Sequence, residues 1–169
     1  MSFSSELKEN LSKIQNLKNK ELVKFELIGY LISNNTTCDK KNIYYTTVNE
    51  YNINRFSKLL SNINISNFKI DIKGKNYIIT VPKIQKIGQI SYLEKDIEIS
   101  EEYKKELENI NKISEQEEML IKSLARGIFL GSGSVNNPEN KYHLEMILST
   151  KENAIEIQEI LQKMQIKFK

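Results

Sequence analysis

The chain has 169 residues, of which 39% are hydrophobic, and it carries 25 lysines and arginines against 22 acidic residues. This length supports one good core or two small ones, and the slight positive charge neither demands nor excludes a nucleic-acid partner. The single cysteine, Cys38, excludes an internal disulfide, and no apolar run approaches the roughly 20 residues of a membrane span, so we expect a soluble cytoplasmic protein without a membrane partner.

The first half of the chain alternates between helical and strand patterns. Apolar residues at helical spacing predict helices over residues 4–16, 20–33 and 53–63. The aromatic and β-branched stretch IYYTTV (43–48) predicts a strand. Residues 68–81 predict a hairpin that turns at Gly74 and is closed by Pro82. Its two faces alternate between apolar and charged residues: Phe68, Ile70 and Ile72 against Lys69, Asp71 and Lys73.

The second half begins with a charged stretch, 83–117, which we expect to be mostly helical and to act as a connector. Ser114 and Glu117 predict a capping box that opens a helix running to about Leu130. Turn residues at 136–140 precede KYHLEMIL (141–148), whose alternation predicts a strand. Ser149 and Glu152 predict a second capping box. The last helix then has one apolar face: Ala154, Ile157, Leu161 and Met164.

The order helix, strand, strand, helix therefore occurs twice. The first copy adds a hairpin after its second helix, whereas the second ends at Lys169 without one. We predict three parts: an N-terminal helix with the first repeat (1–87), a helical connector (88–117) and a truncated second repeat (118–169).

Small residues recur at equivalent positions in the first helix of each copy. Gly29 aligns with Gly127 and Ser33 with Gly131, so each helix has two small residues four positions apart on one face. Small residues allow two helices to approach closely. We therefore predict that the two helices pack face to face on a pseudo-two-fold axis, and that Gly133 makes the turn from helix to strand.

The stretch SLARGIFLGSGSVNNPENKYHLEMILST resembles the second motif helix and hairpin of WhiA-type regulators, and the opening MSFSSELKENL is similar to their start. The resemblance implies an α+β fold of tandem LAGLIDADG homing-endonuclease-like αββαββ repeats with pseudo-two-fold symmetry, the second repeat being incomplete here. It also implies roles in transcription regulation, cell division, chromosome segregation and, in some bacteria, sporulation. DNA would be the partner, mainly through a C-terminal helix-turn-helix that this chain lacks. Asn35 departs from the pattern, which favours glycine at that position.

A nuclease of this fold needs a carboxylate at the end of each motif helix to hold a divalent cation. Those positions are occupied here by Asn34 and Ser132, and the other acidic positions of the motif fall on Ile32 and Leu130. The nearest carboxylates in sequence, Asp39 and Glu139, lie several residues further on. We therefore expect no catalytic residues, no metal, no cofactor and no enzyme activity.

Other candidate sites are weaker. The glycines lack the Lys-Ser/Thr step of a phosphate loop and end a helix instead of opening one. His143 and Cys38 have no partners at metal-ligand spacing, and we interpret both as structural or surface residues.

The sheet face could bind DNA, as it does in nucleases of this fold. Lys69, Lys73 and Lys75 are weak nucleic-acid-binding candidates, but Asp71 and Glu145 would repel phosphates.

Three functions follow from these patterns. The first is a non-catalytic regulatory domain of a WhiA-like DNA-binding protein that is cytoplasmic and associated with the nucleoid. The second is a protein-interaction scaffold in which the former DNA-binding face docks a protein partner. The third is an active homing endonuclease, against which the missing carboxylates argue.

Overall fold

The computed structural model describes residues 2–15, 17–136, 139 and 143–166. The elements of this part of the chain are α1 (Phe3–Leu11), α2 (Lys20–Ile32), β1 (Thr36–Cys38), β2 (Asn42–Thr47), α3 (Glu50–Asn62), β3 (Lys69–Lys73), β4 (Asn76–Pro82), β5 (Ile90–Tyr92), β6 (Ile97–Ile99), α4 (Glu101–Glu108), α5 (Glu115–Ser132), β7 (Gly133–Val135), β8 (Leu144–Met146) and α6 (Lys151–Gln162).

The first repeat runs α2-β1-β2-α3-β3-β4. Its strands form an antiparallel sheet in the order β1-β2-β4-β3, and β4 pairs with β2 from Asn42↔Pro82 to Thr47↔Tyr77. The hairpin between β3 and β4 turns at Gly74, which adopts the left-handed conformation (φ 61°) that favours glycine. The predicted αββαββ order is thus present in the first repeat.

Helix α2 lies at the centre of the molecule. Ten of its 13 residues are buried, because its two sides face α5 and α3. Asn19 caps the helix by accepting hydrogen bonds from Glu21 N and Leu22 N. Its Tyr30 ring packs edge-on against Tyr45 of β2 and Phe56 of α3, with ring centroids 5.2 and 5.3 Å away. These aromatic contacts join helix and sheet in one core.

The second repeat runs α5-β7-β8-α6. The predicted capping box at Ser114 and Glu117 is present at the start of α5. The second predicted box is wrong: Thr150, not Ser149, caps α6 by accepting from Asn153 N. Ser149 instead donates to Ile97 O at 3.3 Å. The apolar face of α6 also differs, because Ala154 is exposed whereas Ile157, Ile160 and Leu161 are buried.

The connector differs most from its prediction. Only Glu101–Glu108 of the region 83–117 forms a helix before α5, and it is preceded by the hairpin of β5 and β6. Ile97 and Ile99 of β6 are buried. Asn153 of α6 binds this strand through its side chain, donating to Ile97 O at 2.7 Å and accepting from Ile99 N at 3.0 Å. The alternating stretch IEI (97–99) therefore forms a strand that packs on the second repeat. The prediction that residues 83–117 are mostly helical was wrong.

Two smaller differences concern the end of helix α1 and the strand β1. Helix α1 ends at Leu11 and not near residue 16, because the carbonyl oxygens of Ser12 and Ile14 leave the helical pattern and accept hydrogen bonds from Arg55 of α3. Strand β1 was not predicted from the sequence, since its TTC stretch is too short to show alternation. Residues 137, 138, 140–142 and 167–169, which include parts of the predicted turn, strand and C-terminus, lie outside the described residues.

Candidate functional site

The two motif helices, α2 and α5, make the largest contact between any elements of the described chain. Their backbones meet at Gly29 and Gly127. A methyl group placed on Gly29 would lie 2.7 Å from Ile128 N and 2.8 Å from Gly127 Cα. A methyl group on Gly127 would meet the Glu26 carbonyl, with its carbon at 2.9 Å. Both glycines thus leave no room for a side chain between the helices.

The second pair of small residues lies one turn further along. A methyl group on Gly131 would be 2.9 Å from Ser33 Cβ. Ser33 is buried and donates its hydroxyl to Tyr30 O at 2.7 Å. Asn35, which stands where the family pattern favours glycine, donates its side-chain amide to Gly131 O at 2.8 Å. This amide therefore connects the first repeat to the end of α5.

Asn34 and Ser132 are brought together at the ends of these helices. The backbone N–H of Asn34 donates to Ile147 O at 2.9 Å and to the Ser132 hydroxyl oxygen at 3.4 Å. The Ser132 hydroxyl in turn donates to Ile147 O. Gly133 follows in extended backbone (φ −93°, ψ 167°) and begins β7. The side chains at this junction are an amide and a hydroxyl, neither of which supplies the negative charge that holds Mg²⁺.

Asp39 and Glu26 are engaged in other contacts. Asp39 lies in the turn between β1 and β2, where it accepts hydrogen bonds from Lys41 N, Asn42 N and the Tyr44 hydroxyl. Glu26 is buried where α2 crosses α5 at Gly127, and two arginines neutralise it. Glu139 is exposed. No group of three or more His, Cys, Asp or Glu side chains that could hold a metal occurs in the described part of the chain.

The predicted lysines lie on β3 and its turn. Lys69 and Lys73 alternate with Asp71, which lies 3.6 Å from the Lys69 ammonium. The neighbouring strand β4 adds neutral groups to this side of the sheet, since Lys69 pairs with Thr80 and Asp71 with Ile78. The face is therefore mixed in charge, as the alternation of lysine and aspartate predicts, and Lys75 is exposed in the turn beside it.

The side chains on the opposite face of β3 are more exposed than the alternation of apolar and charged residues predicted. The predicted apolar side chains Ile70 and Ile72 are 42% and 68% exposed. Their partners on β4, Ile79 and Tyr77, are buried and half-buried. The difference arises because β3 is the edge strand of the sheet.

Among the described residues, neither His143 nor Cys38 has a partner that would suit catalysis. His143 is exposed, and its Nε2 lies 3.5 Å from a Glu145 carboxylate oxygen. Cys38 is buried, and its thiol contacts the carbonyl oxygens of Leu93 and Asp96 at 3.6 and 3.5 Å. Burial raises the pKa of the Cys38 thiol above its ordinary value of 9.0, which disfavours the reactive thiolate.

Sequence reasoning missed a basic cleft of about 590 Å³ beside the start of α2. Its lining includes four lysines and a single carboxylate: Lys20, Lys24, Lys83, Lys86 and Glu21. These residues come from segments that are far apart in the chain. In the sequence, the only sign of this cleft is the basic stretch KIQK (83–86), which the charge pattern placed in the connector.

Comparison with known proteins agrees with this geometry. Residues 121–169 match the family model of the WhiA LAGLIDADG-like domain. A probable cell division protein WhiA of Lachnoclostridium phytofermentans is 27% identical over 172 aligned positions, which cover 95% of this chain and 54% of that protein. The chain is similar to this WhiA protein along nearly its whole length. It spans about half the length of this curated relative.

Other WhiA proteins show the same similarity. The probable cell division protein WhiA of Desulforamulus reducens is 49% identical over 45 residues, or 27% of this chain and 14% of that protein. The crystal structure of full-length WhiA from Thermatoga maritima superposes with a TM-score of 0.65 at 25% identity, covering 99% of this chain and 52% of that one. The structure of an N-terminal LAGLIDADG domain of WhiA superposes with a TM-score of 0.68 at 23% identity, covering 98% and 76%.

The predicted fold class is thus confirmed for this WhiA-like chain: a mixed α/β structure that matches the LAGLIDADG-like domain of WhiA. Within the described residues, no helix is both long and apolar enough to span a membrane.

Proposed function

We propose that this WhiA-like chain is a non-catalytic regulatory domain of a DNA-binding protein that acts in cell division. The observation that carries the proposal is the junction of Asn34 and Ser132. The close helix pair of a LAGLIDADG fold is present, yet the two ends that would hold a metal have an amide and a hydroxyl. Regulation of transcription, chromosome segregation and sporulation, and association with the nucleoid, are part of the same proposal and come from the resemblance to WhiA.

Absence of nuclease activity is tested with supercoiled plasmid in Mg²⁺ or Mn²⁺. We expect no nicking by the purified chain, because neither helix end supplies a carboxylate. Ser132→Ala serves as the matched control, since it removes the only hydroxyl of the junction. Metal-dependent nicking that Ser132→Ala abolishes would show that the site is catalytic and would end the proposal.

DNA binding is tested by fluorescence anisotropy with a labelled duplex. The resemblance assigns most of the affinity to a helix-turn-helix, which is not among the elements described here. We therefore expect weak binding by this chain, which is lost between roughly 50 and 200 mM salt because few phosphates are neutralised. No binding at the lowest salt would remove DNA from the proposal.

A second candidate function is a protein-interaction scaffold. It is favoured by the exposure of Ile70 and Ile72 on the edge strand β3, where a partner strand could pair. The DNA titration separates the two candidates, since a scaffold that does not bind DNA gives no anisotropy change at any salt concentration.

A further inference from the structure

The geometry points to a phosphate-binding cleft at the start of α2, and we propose that this cleft, not the strand face, holds the phosphate backbone of duplex DNA. The identity of the ligand rests on the DNA binding proposed above. The cleft itself rests on its charge, its polar rim and its fixed walls.

The charge of the cleft is strongly one-sided. Four lysines line it, and its single carboxylate, Glu21, lies 3.1 Å from the Lys24 ammonium. Three lysines therefore remain without a carboxylate from the lining: Lys20, Lys83 and Lys86. The β3 face differs, because Lys69 lies 3.6 Å from Asp71. The lining of the cleft thus has four positive charges against one negative charge, a larger excess than on the β3 face.

The chemistry of the rim suits phosphate groups. Lysines bind phosphates as point charges, whereas recognition of planar carboxylates usually depends on the two-pronged geometry of arginine, which is absent from the lining. The rim also contains the side-chain amides of Asn64, Asn67 and Gln85, whereas the amide nitrogen of Asn62 donates to Lys58 O at 2.8 Å. Asparagine and glutamine, like lysine, commonly donate to phosphate oxygens of DNA without reading its sequence.

The walls of the cleft are fixed by hydrogen bonds. On one side, Ile65 N donates to Leu60 O at 2.9 Å and holds the loop after α3. On the other side, the Tyr92 hydroxyl accepts from Ile84 N at 2.8 Å and donates to Ile84 O at 2.9 Å. Lys83 lies over the same tyrosine ring, with its ammonium 4.9 Å from the centroid. A site with fixed walls loses little conformational freedom when a ligand binds.

The basic surface continues beyond the cleft along the end of the sheet. Lys83 N donates to Lys41 O at 3.0 Å, which places the turn containing Lys40 and Lys41 next to the cleft. Asp39 lies in the same turn and remains negatively charged, because its hydrogen-bond donors, Lys41 N, Asn42 N and the Tyr44 hydroxyl, are neutral, so it offsets part of the positive charge beside Lys83. A duplex backbone that entered the cleft would therefore meet further lysines at its edge.

Two matched triple variants test the proposal. The cleft variant is Lys20→Gln/Lys83→Gln/Lys86→Gln, and the control on the strand face is Lys69→Gln/Lys73→Gln/Lys75→Gln, with the same change in charge. In anisotropy titrations with a 20-base-pair duplex, we expect the cleft variant to lose at least tenfold in affinity. The slope of log Kobs against log[salt] should become shallower by about 2 to 3 for the cleft variant. The affinity of the control variant should stay within twofold of wild type.

The cleft is also tested without DNA. Amide chemical shifts of the wild-type chain are followed by NMR during titration with inorganic tripolyphosphate. We expect shifts at residues 62–67 and 83–87, and none on β3. If tripolyphosphate causes these shifts but the duplex does not bind, the cleft stands and the proposed DNA binding fails. Absence of these shifts, or a control variant that loses more affinity than the cleft variant, overturns the cleft. Lys20→Gln/Lys86→Gln, which leaves the Lys83–Tyr92 contact intact, replaces the triple variant if that does not fold.

Discussion

Arg55 and Glu26 form a two-pronged ion pair in the interior of the molecule. Arg55 Nε donates to one carboxylate oxygen of Glu26 at 2.6 Å, and another guanidinium nitrogen donates to the second oxygen at 2.9 Å. Both side chains are almost fully excluded from solvent. The same guanidinium donates to Ile14 O, and Arg126 of α5 donates to Glu26 at 3.0 Å. One carboxylate thus joins α2 to α3, to α5 and, through Arg55, to the segment after α1.

Removing either partner of this pair should destabilise the chain. We expect Arg55→Ala or Glu26→Ala to lower the free energy of unfolding by about 3 to 5 kcal/mol, because a buried charge is left without its partner. Glu21→Ala on the same helix is the control, since its pair with Lys24 is at the surface and contributes about 0 to 1 kcal/mol. Urea unfolding measures all three. Equal midpoints for Glu26→Ala and Glu21→Ala would contradict the structural role of the pair.

Gly127→Ala should be destabilising, although alanine stabilises an exposed helix by roughly 1 kcal/mol relative to glycine. The added methyl group would meet the carbonyl group of Glu26 on the facing helix, and backbone atoms cannot move aside as the end of a flexible side chain can. We expect a loss of several kcal/mol, and a larger loss for Gly127→Leu.

Gly88→Ala is the matched control for this change. A methyl group on Gly88 would have no neighbour within 4 Å, and the residue is exposed, so its thermal midpoint should stay close to that of wild type. The sign of the change in the thermal midpoint of Gly127→Ala decides whether Gly127 lies in a close contact between the helices or at an open helix position. A midpoint at or above wild type would mean that the helices do not need the close approach.

Much of this arrangement could be predicted from the sequence because it depends on local patterns. Ser114 and Glu117 are three residues apart, and the small residues of α2 and α5 repeat at helical spacing. The cap of α6 was missed because Ser149 and Thr150 are both good N-caps, and the choice depends on a tertiary contact of Ser149 with Ile97.

Features built from distant segments could not be predicted in the same way. The basic cleft joins lysines near residues 20 and 85, and no local pattern indicates that these segments meet. The hairpin of β5 and β6 was hidden because each strand has only three residues. The buried position of Glu26 was equally hidden, since a charged residue within a helix is normally expected at its surface.

Restoring the carboxylate at the second motif helix should be possible at modest cost. The Ser132 hydroxyl donates to Ile147 O and accepts from Asn34 N. An aspartate at this position keeps the accepting role but has no proton to donate, so we expect Ser132→Asp to lower the free energy of unfolding by about 1 to 2 kcal/mol. Ser134→Asp, at an exposed position of β7, is the control and should change little. If Ser132→Asp were as stable as wild type, the bond to Ile147 would contribute nothing.

Asp39 should titrate well below the ordinary value of an aspartate carboxyl group. The hydrogen bond from the Tyr44 hydroxyl, with those from Asn42 N and Lys41 N, lowers the pKa of Asp39 from 3.8 to about 2. Because the folded pKa is lower than the unfolded one, the stabilisation is fully present above about pH 4 and is lost as the pH falls towards 2. Tyr44→Phe removes the largest cause, so it should raise the pKa of Asp39 towards its ordinary value, whereas Tyr77→Phe leaves these bonds intact. Carboxyl ¹³C titrations by NMR measure the three midpoints, and an unchanged midpoint in Tyr44→Phe would show that the backbone bonds alone hold the carboxylate.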